Sequence, residues 1–148
     1  TVTAKDAANN TGTDTLTVTY SEELANLTPF KPSGWYDKIV VSNKKRTQKD
    51  SYPLYTTDKL YIDLAVINYG PGIAENFWIR LYVDGKKRKQ FLAPQLILNW
   101  YAYVLDYPIG TLSAGKHSIK IIADVYGNVK ESNESDNEYT KEINIINR

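Results

Sequence analysis

Leu60-Tyr61-Ile62-Asp63-Leu64-Ala65-Val66-Ile67 is the stretch on which the fold turns. In an extended chain Leu60, Ile62, Leu64 and Val66 share one face, while Asp63 and Ala65 fall on the other. That period of two reads as a half-buried strand. Downstream, Phe77, Ile79, Leu81 and Val83 alternate with Trp78, Arg80, Tyr82 and Asp84, and Asp84-Gly85 is a strong short hairpin turn. Residues 90–93 are expected as its return strand. Residues 97–106, ILNWYAYVLD, carry β-propensity throughout, and Tyr107-Pro108-Ile109-Gly110 and Ser113-Ala114-Gly115 are expected to break the chain after them. Ile119, Ile121, Ala123 and Val125 mark another inward face. The last strand is expected over residues 139–147, with Ile143 and Ile145 on one face and Ile146 on the other, and a short strand over residues 39–42. Residues 21–27, SEELANL, allow at most one or two helical turns. About seven short strands between turn signals predict an all-β, antiparallel two-sheet sandwich.

The whole chain is 148 residues with 18 Lys+Arg, 17 Asp+Glu, a net charge of +1, 42% apolar residues and no Cys or Met. One domain of this length can bury a core, and so small a net charge does not fit a binder of nucleic acid. Without cysteine there is no disulfide framework, zinc ribbon, iron–sulfur site or thiol nucleophile. The longest apolar runs fall well short of the roughly 20 residues that span a bilayer, so no direct membrane insertion is expected. A chain that starts at Thr1 and lacks Met reads as a piece processed or excised from something longer.

The first twenty residues read differently from the rest. Residues 2–4, a polar turn over 6–12 and the run Asp14-Thr15-Leu16-Thr17-Val18-Thr19-Tyr20 predict a hairpin with Leu16, Val18 and Tyr20 on one side. An isolated hairpin is marginal in water, so this one is expected to pack on a neighbouring domain or subunit. The division is therefore residues 1–20 as the hairpin and 21–148 as the sandwich, with Leu16, Val18 and Tyr20 as candidate interface residues.

Three groups of residues resemble the family called CARDB, the cell-adhesion-related domain found in bacteria and in archaeal surface proteins. They are residues 27–35 (LTPFKPSGW) with 39–42 (IVVS); Val66-Ile67-Asn68-Tyr69-Gly70, Ala74-Glu75-Asn76 and residues 81–85 (LYVDG); and residues 112–119 (LSAGKHSI) with 124–137 (DVYGNVKESNESDN), the most specific part. The likeness covers roughly residues 27 to 146. It implies a seven-stranded immunoglobulin-like sandwich in an exported, usually multidomain, extracellular or cell-surface protein, and it does not imply catalysis. Residues 2–20 separately resemble the closing hairpin of another bacterial immunoglobulin-like module.

Residues 124–138 hold five carboxylates and three carboxamides. Calcium takes six to eight oxygens from such a loop, and Glu131, Asp136, Asn137 and Asp124 are the candidate ligands; a solvated acidic turn is the plain alternative. Residues 31–90 carry twelve Lys+Arg and six Asp+Glu, whereas 121–142 carry six acidic and two basic residues. This polarity fits attraction between neighbouring modules or copies, while Lys86 to Lys89 also fit protection of a sheet edge. Trp78, Tyr82 and Tyr101 are candidates for stacking on surface glycans, against sheet-face packing as the alternative. His117 lies beside Ser113 and Ser118 with no positioned Asp evident, and is read as ordinary surface. Asn9, Asn26 and Asn133 begin glycosylation sequons. The expected function is a non-catalytic extracellular structural or adhesion module, joined head-to-tail to other copies or adjacent immunoglobulin-like modules by donated N-terminal strands. A glycan- or cell-wall-binding accessory module of a secreted hydrolase is the alternative.

Overall fold

Period-two patterning yields strands and no helix in the computed structural model, which describes residues 2–9 and 11–148. In chain order these are β1 (Val2–Lys5), β2 (Thr11–Asp14), β3 (Leu27–Pro29), β4 (Ile39–Ser42), β5 (Leu54–Tyr55), β6 (Leu60–Asn68), β7 (Trp78–Val83), β8 (Lys86–Leu92), β9 (Tyr101–Gly110), β10 (Gly115–Ile122) and β11 (Glu138–Ile146). Five strands form one sheet in the order β5-β11-β10-β7-β8. In the facing sheet β6 pairs with β9 along one flank, and with β3 and β4 end to end along the other. Leu60, Ile62, Leu64 and Val66 point between the sheets, where they meet Phe77, Ile79, Leu81, Ile119, Ile121 and Ile145. The turn at Asp84-Gly85 has φ of 51° and 72°, positive at both central residues as the twist of a two-residue hairpin demands.

β6 is buried on both faces rather than half-buried. Val40, Asp63, Ala65 and Ile67 lie outside the inter-sheet core yet are at most 4% exposed. Phe30, whose N–H bonds the Ala65 carbonyl, brings the β3–β4 connection across this outer side, and the Asp63 carboxylate accepts the Asp106 N–H at 2.7 Å.

Three expectations need correction, and the allowance of at most one or two helical turns over residues 21–27 is not taken up. The return strand after Asp84-Gly85 begins at Lys86, because hairpin register continues pairing through side chains that are all solvated and show no alternation. Residues 97–100 form a turn, and β9 runs on through Tyr107-Pro108-Ile109-Gly110. Pro108 is tolerated there because β9, paired with β6 alone among the described strands, is an edge strand. Residues 21–27 make no helical turn and instead lead, through a bridge at Ala25, into β3. The hairpin return strand ends at Asp14, since the register places Val2 opposite it. Leu16, Val18 and Tyr20 therefore lie beyond β2, with no strand opposite them among the described residues.

Asn68 ties the end of β6 to three other segments. Fully buried, its Oδ1 accepts the N–H groups of Asn26 and Gly70 at 2.9 and 3.0 Å, and its Nδ2 donates to the carbonyls of Gly72 and Leu96 at 2.7 and 3.0 Å. Gly70 and Gly72 are required by close approach: a Cβ on either would lie 2.3 Å from a carbonyl oxygen of residues 23–24. On the far side of the sandwich, the Lys141 ammonium donates to Asp50 at 2.5 Å, to Asp37 at 3.0 Å and to the Ile39 carbonyl at 2.8 Å, clamping β11 to the start of β4.

Asn68→Leu keeps the side-chain volume and removes all four bonds, leaving buried donors and acceptors without partners. It is expected to lower the unfolding free energy by about 3 kcal/mol or more in urea titrations.

Candidate functional site

The acidic loop after β10 is built around backbone amides. Both carboxylate oxygens of Asp124 are taken, Oδ1 by the Asn128 N–H at 2.9 Å and Oδ2 by the Val129 N–H at 2.8 Å, closing the turn that buries Val129. Glu131 is 6% exposed and accepts the Leu27 N–H at 3.3 Å and both Asn137 Nδ2 contacts at 3.0 and 2.9 Å. Asp136 accepts the Asn26 Nδ2 at 3.2 Å through its side chain and the Thr28 hydroxyl at 2.8 Å through its carbonyl. The loop thus grips the chain just before and within β3. Three oxygens in this grip, Asn26 Oδ1, Asp136 Oδ1 and Asn137 Oδ1, are buried and have no hydrogen-bond partner. Of the four candidate ligands, Glu131, Asp136 and Asn137 come together with Asn26, while Asp124 serves the neighbouring turn. Among the described residues, no group of three or more His, Cys, Asp or Glu side chains is arranged to hold a metal.

Burial raises the Glu131 carboxyl to about 7, with Glu134 and Asp124 adding repulsion against the hydrogen bonds from Asn137 and Leu27. The folded chain therefore holds this proton more tightly than the unfolded chain, and stability declines as pH rises from about 4.5 to about 7.

The aromatic candidates are divided between the sheets. Trp78 and Tyr82 sit half-buried on β7 of the five-stranded sheet, whereas Tyr101 sits on β9 of the other. The Tyr82 ring has the Lys120 ammonium 6.0 Å from its centroid and the Arg80 guanidinium at its hydroxyl, so that face is already occupied by cations. The aromatic run missed in the sequence lies on the outer face of the facing sheet. Tyr69 meets Phe30 edge-on at 6.2 Å, Phe30 meets Tyr101 at 5.2 Å, and Tyr101 meets Tyr103 at 6.1 Å. Beside them Trp35, Gln48, Tyr101, Tyr103 and Leu105 line a groove of about 240 Å³. Tyr101 is legible by alternation, whereas Phe30 and Tyr69 join the run from distant segments and leave no mark on local spacing.

His117 does have a carboxylate neighbour, contrary to the reading of its local sequence. Its Nδ1 bonds Asp84 at 2.7 Å and its Nε2 bonds the Ser113 carbonyl at 2.8 Å. Both partners accept, which favours the doubly protonated ring; Asp84 foremost raises the His117 pKa, and His117 lowers that of Asp84. A ring with both nitrogens so engaged has no lone pair to activate a serine. Leu16, Val18 and Tyr20 are 75%, 79% and 86% exposed, and every described side chain from Lys5 to Glu23 is exposed.

The model of the CARDB family matches residues 39–141. The chain belongs to the CARDB family. Its described strands contain the immunoglobulin-like sandwich that the family likeness implied, and CARDB is a cell-surface-associated, non-enzymatic adhesion-like family. The chain is similar in structure to the CARDB domain of the PF1109 protein from Pyrococcus furiosus, described in complex with di-metal ions, at 17% identity and a TM-score of 0.65, covering 87% of this chain and 100% of that one. A solution structure of the same domain gives 16% identity and a TM-score of 0.62 over 84% of this chain and 98% of that one. A domain of a protein described as belonging to the cell surface of Methanosarcina acetivorans gives 17% identity and a TM-score of 0.60 over 83% and 93%. At these identities the likeness establishes the fold. No curated protein matches the chain.

For this CARDB domain, Glu131→Gln is expected to remove the decline in stability between about pH 4.5 and about pH 7. Unfolding titrations should find the variant close to the native chain at the acid end and more stable than it above neutrality.

Proposed function

We propose that this chain is a non-catalytic structural and adhesion module of an extracellular surface assembly. It is joined head-to-tail to its neighbour, another copy or an adjacent immunoglobulin-like module, by strand addition through residues 15–20. One observation carries the reading. Leu16, Val18 and Tyr20 alternate with threonines along a segment that has no partner strand among the described residues, and all three stand at least 75% exposed. An unpaired segment with apolar residues at every second position gains main-chain hydrogen bonds and apolar burial together when it adds to a sheet edge. CARDB membership supports a place at the cell surface, and the occupied nitrogens of His117 are consistent with a non-catalytic role.

Leu16→Asp with Val18→Asp places two charges in the donated stripe. Assembly of the purified chain, followed by light scattering and negative-stain microscopy, is expected to be lost in this variant; unchanged assembly removes strand donation.

A second reading gives the acidic loop a calcium ion. Supporting it are the three unpartnered buried oxygens of Asn26, Asp136 and Asn137, the last on a carboxamide bonded to Glu131, and the description of the Pyrococcus relative as a complex with metal ions. Oxygen donors of this mixed kind suit a hard cation. Saturating calcium is expected to raise the Tm by about 5 °C over the chelator-treated chain, and Asp136→Asn to abolish the rise. An unmoved Tm in the native chain removes this reading.

A further inference from the structure

Four sheet edges flank the sandwich, and three are defended. The outer edge of β8 carries Lys86, Lys87, Arg88 and Lys89 in succession, which disfavours pairing with another strand. β3 and β4 are engaged from the side, β3 by Glu131 and Asp136, and β4 by Asp50 and the Ser51 N–H. β11 has β5 beside its end and the Lys141 clamp before it. The fourth edge is β9. At its far end Arg88 donates to the Ile109 carbonyl and Tyr107 packs edge-on against Phe91. Along residues 101–105, however, the flank turned away from β6 has no backbone partner among the described residues.

This open stretch is also apolar on its surface. No charged residue occurs from Gln95 to Leu105, and Ile97, Leu98, Trp100, Tyr101, Tyr103 and Leu105 are all at least 43% exposed. An uncharged edge with unpaired backbone and exposed apolar side chains invites another strand.

We infer that residues 101–105 of β9 are the acceptor for residues 15–20 of a second copy of this chain, an inference that rests on the strand-addition reading above. The two segments match in period and length. Leu16, Val18 and Tyr20 recur at every second residue, as do Tyr101, Tyr103 and Leu105, so three donated side chains meet three on the acceptor beside the Trp35–Gln48 groove. The donor is neutral from Thr15 to Ser21, and so is the acceptor. Asp14 at the end of the donor has the basic run of β8 beside β9 to approach. A chain's own arm would have to cross from the opposite flank of β6 to pair with this edge. The arm enters through β3, on the flank of β6 opposite β9, and Phe30 already spans the outer face from there to Tyr101. Donor and acceptor are unlike surfaces, so each chain gives one and takes one, and the contact repeats into a filament.

The test uses three forms of the 148-residue chain in light scattering: native, donor-blocked Leu16→Asp/Val18→Asp, and acceptor-blocked Tyr103→Lys/Leu105→Lys. The native chain is expected to form polymers and each variant to remain monomeric. An equimolar mixture of the variants should give a heterodimer and nothing longer, because only one donor and one acceptor survive in each pair. If the acceptor-blocked chain, folded by circular dichroism, assembles like the native chain, β9 is not the acceptor although strand donation stands. If the donor-blocked chain assembles, the parent reading fails instead. A native chain that stays monomeric at all concentrations excludes a second copy as the occupant. Should the lysine variant not fold, a synthetic peptide of residues 14–21 added to the donor-blocked chain decides the matter by hydrogen exchange. Protection of the amides of residues 101–105 supports the assignment, and protection elsewhere overturns it. Binding of a polysaccharide panel to Tyr101 and Tyr103 in place of the peptide would assign the edge to glycans and likewise overturn it.

Discussion

The fully buried side chain of Asn68 is the point through which the rest of this structure is held. A carboxamide can accept and donate twice each way, and here all four capacities are used, on Asn26, Gly70, Gly72 and Leu96. The Asn68 backbone adds bonds with Trp100 and Asn99. One residue at the end of the central strand therefore fixes both the root of the N-terminal arm and the turn that leads into β9. In a low-dielectric interior, such a network is worth most when it is complete. The close approach of Gly70 and Gly72 to residues 23–25 follows from the same knot, since any side chain there would push the arm's root away.

The acidic loop gains its meaning from this arrangement. Read along the chain, its carboxylates look like solvated charge; in space Glu131 and Asp136 reach across to residues 26–28 and secure the beginning of β3. Charge is thus buried where the arm joins the body, and the Glu131 carboxyl is raised towards neutrality as a result. On the far side of the sandwich Lys141 supplies the opposite solution. Burial of Asp37 works against its charge, yet Lys141 and the Lys38 N–H prevail and hold its carboxyl below the ordinary value.

What the sequence made legible followed from local periodicity. β6, β7, β10 and β11 alternate strongly, and the Asp84-Gly85 turn announces its own geometry, so these elements could be read from neighbouring residues alone. β8 could not, because Lys86 to Lys89 are solvated on both faces and its pairing is dictated by the hairpin. The start of β9 was misplaced because residues 97–100 are as apolar as the strand they precede. β3 and β5 are too short to show a period at all. The site was harder still: Glu131 and Leu27 are 104 residues apart, and His117 and Asp84 are 33 apart, so neither contact leaves a mark on local spacing. Leu16, Val18 and Tyr20 were legible as an apolar stripe, but their lack of an opposing strand depended on a register that only the folded hairpin fixes.

The attachment of the arm to β3 also determines how the module responds to mechanical load. A pull on residues 15–24 along the strand direction reaches the body at Ala25. There the pairs Leu27–Asn68, Thr28–Ile67 and Pro29–Val66 lie side by side along β6 and are strained together in shear rather than opened one after another. The Glu131 and Asp136 contacts share that tension in parallel. The chain is thereby reinforced at the point where a tether to a neighbour would draw on it.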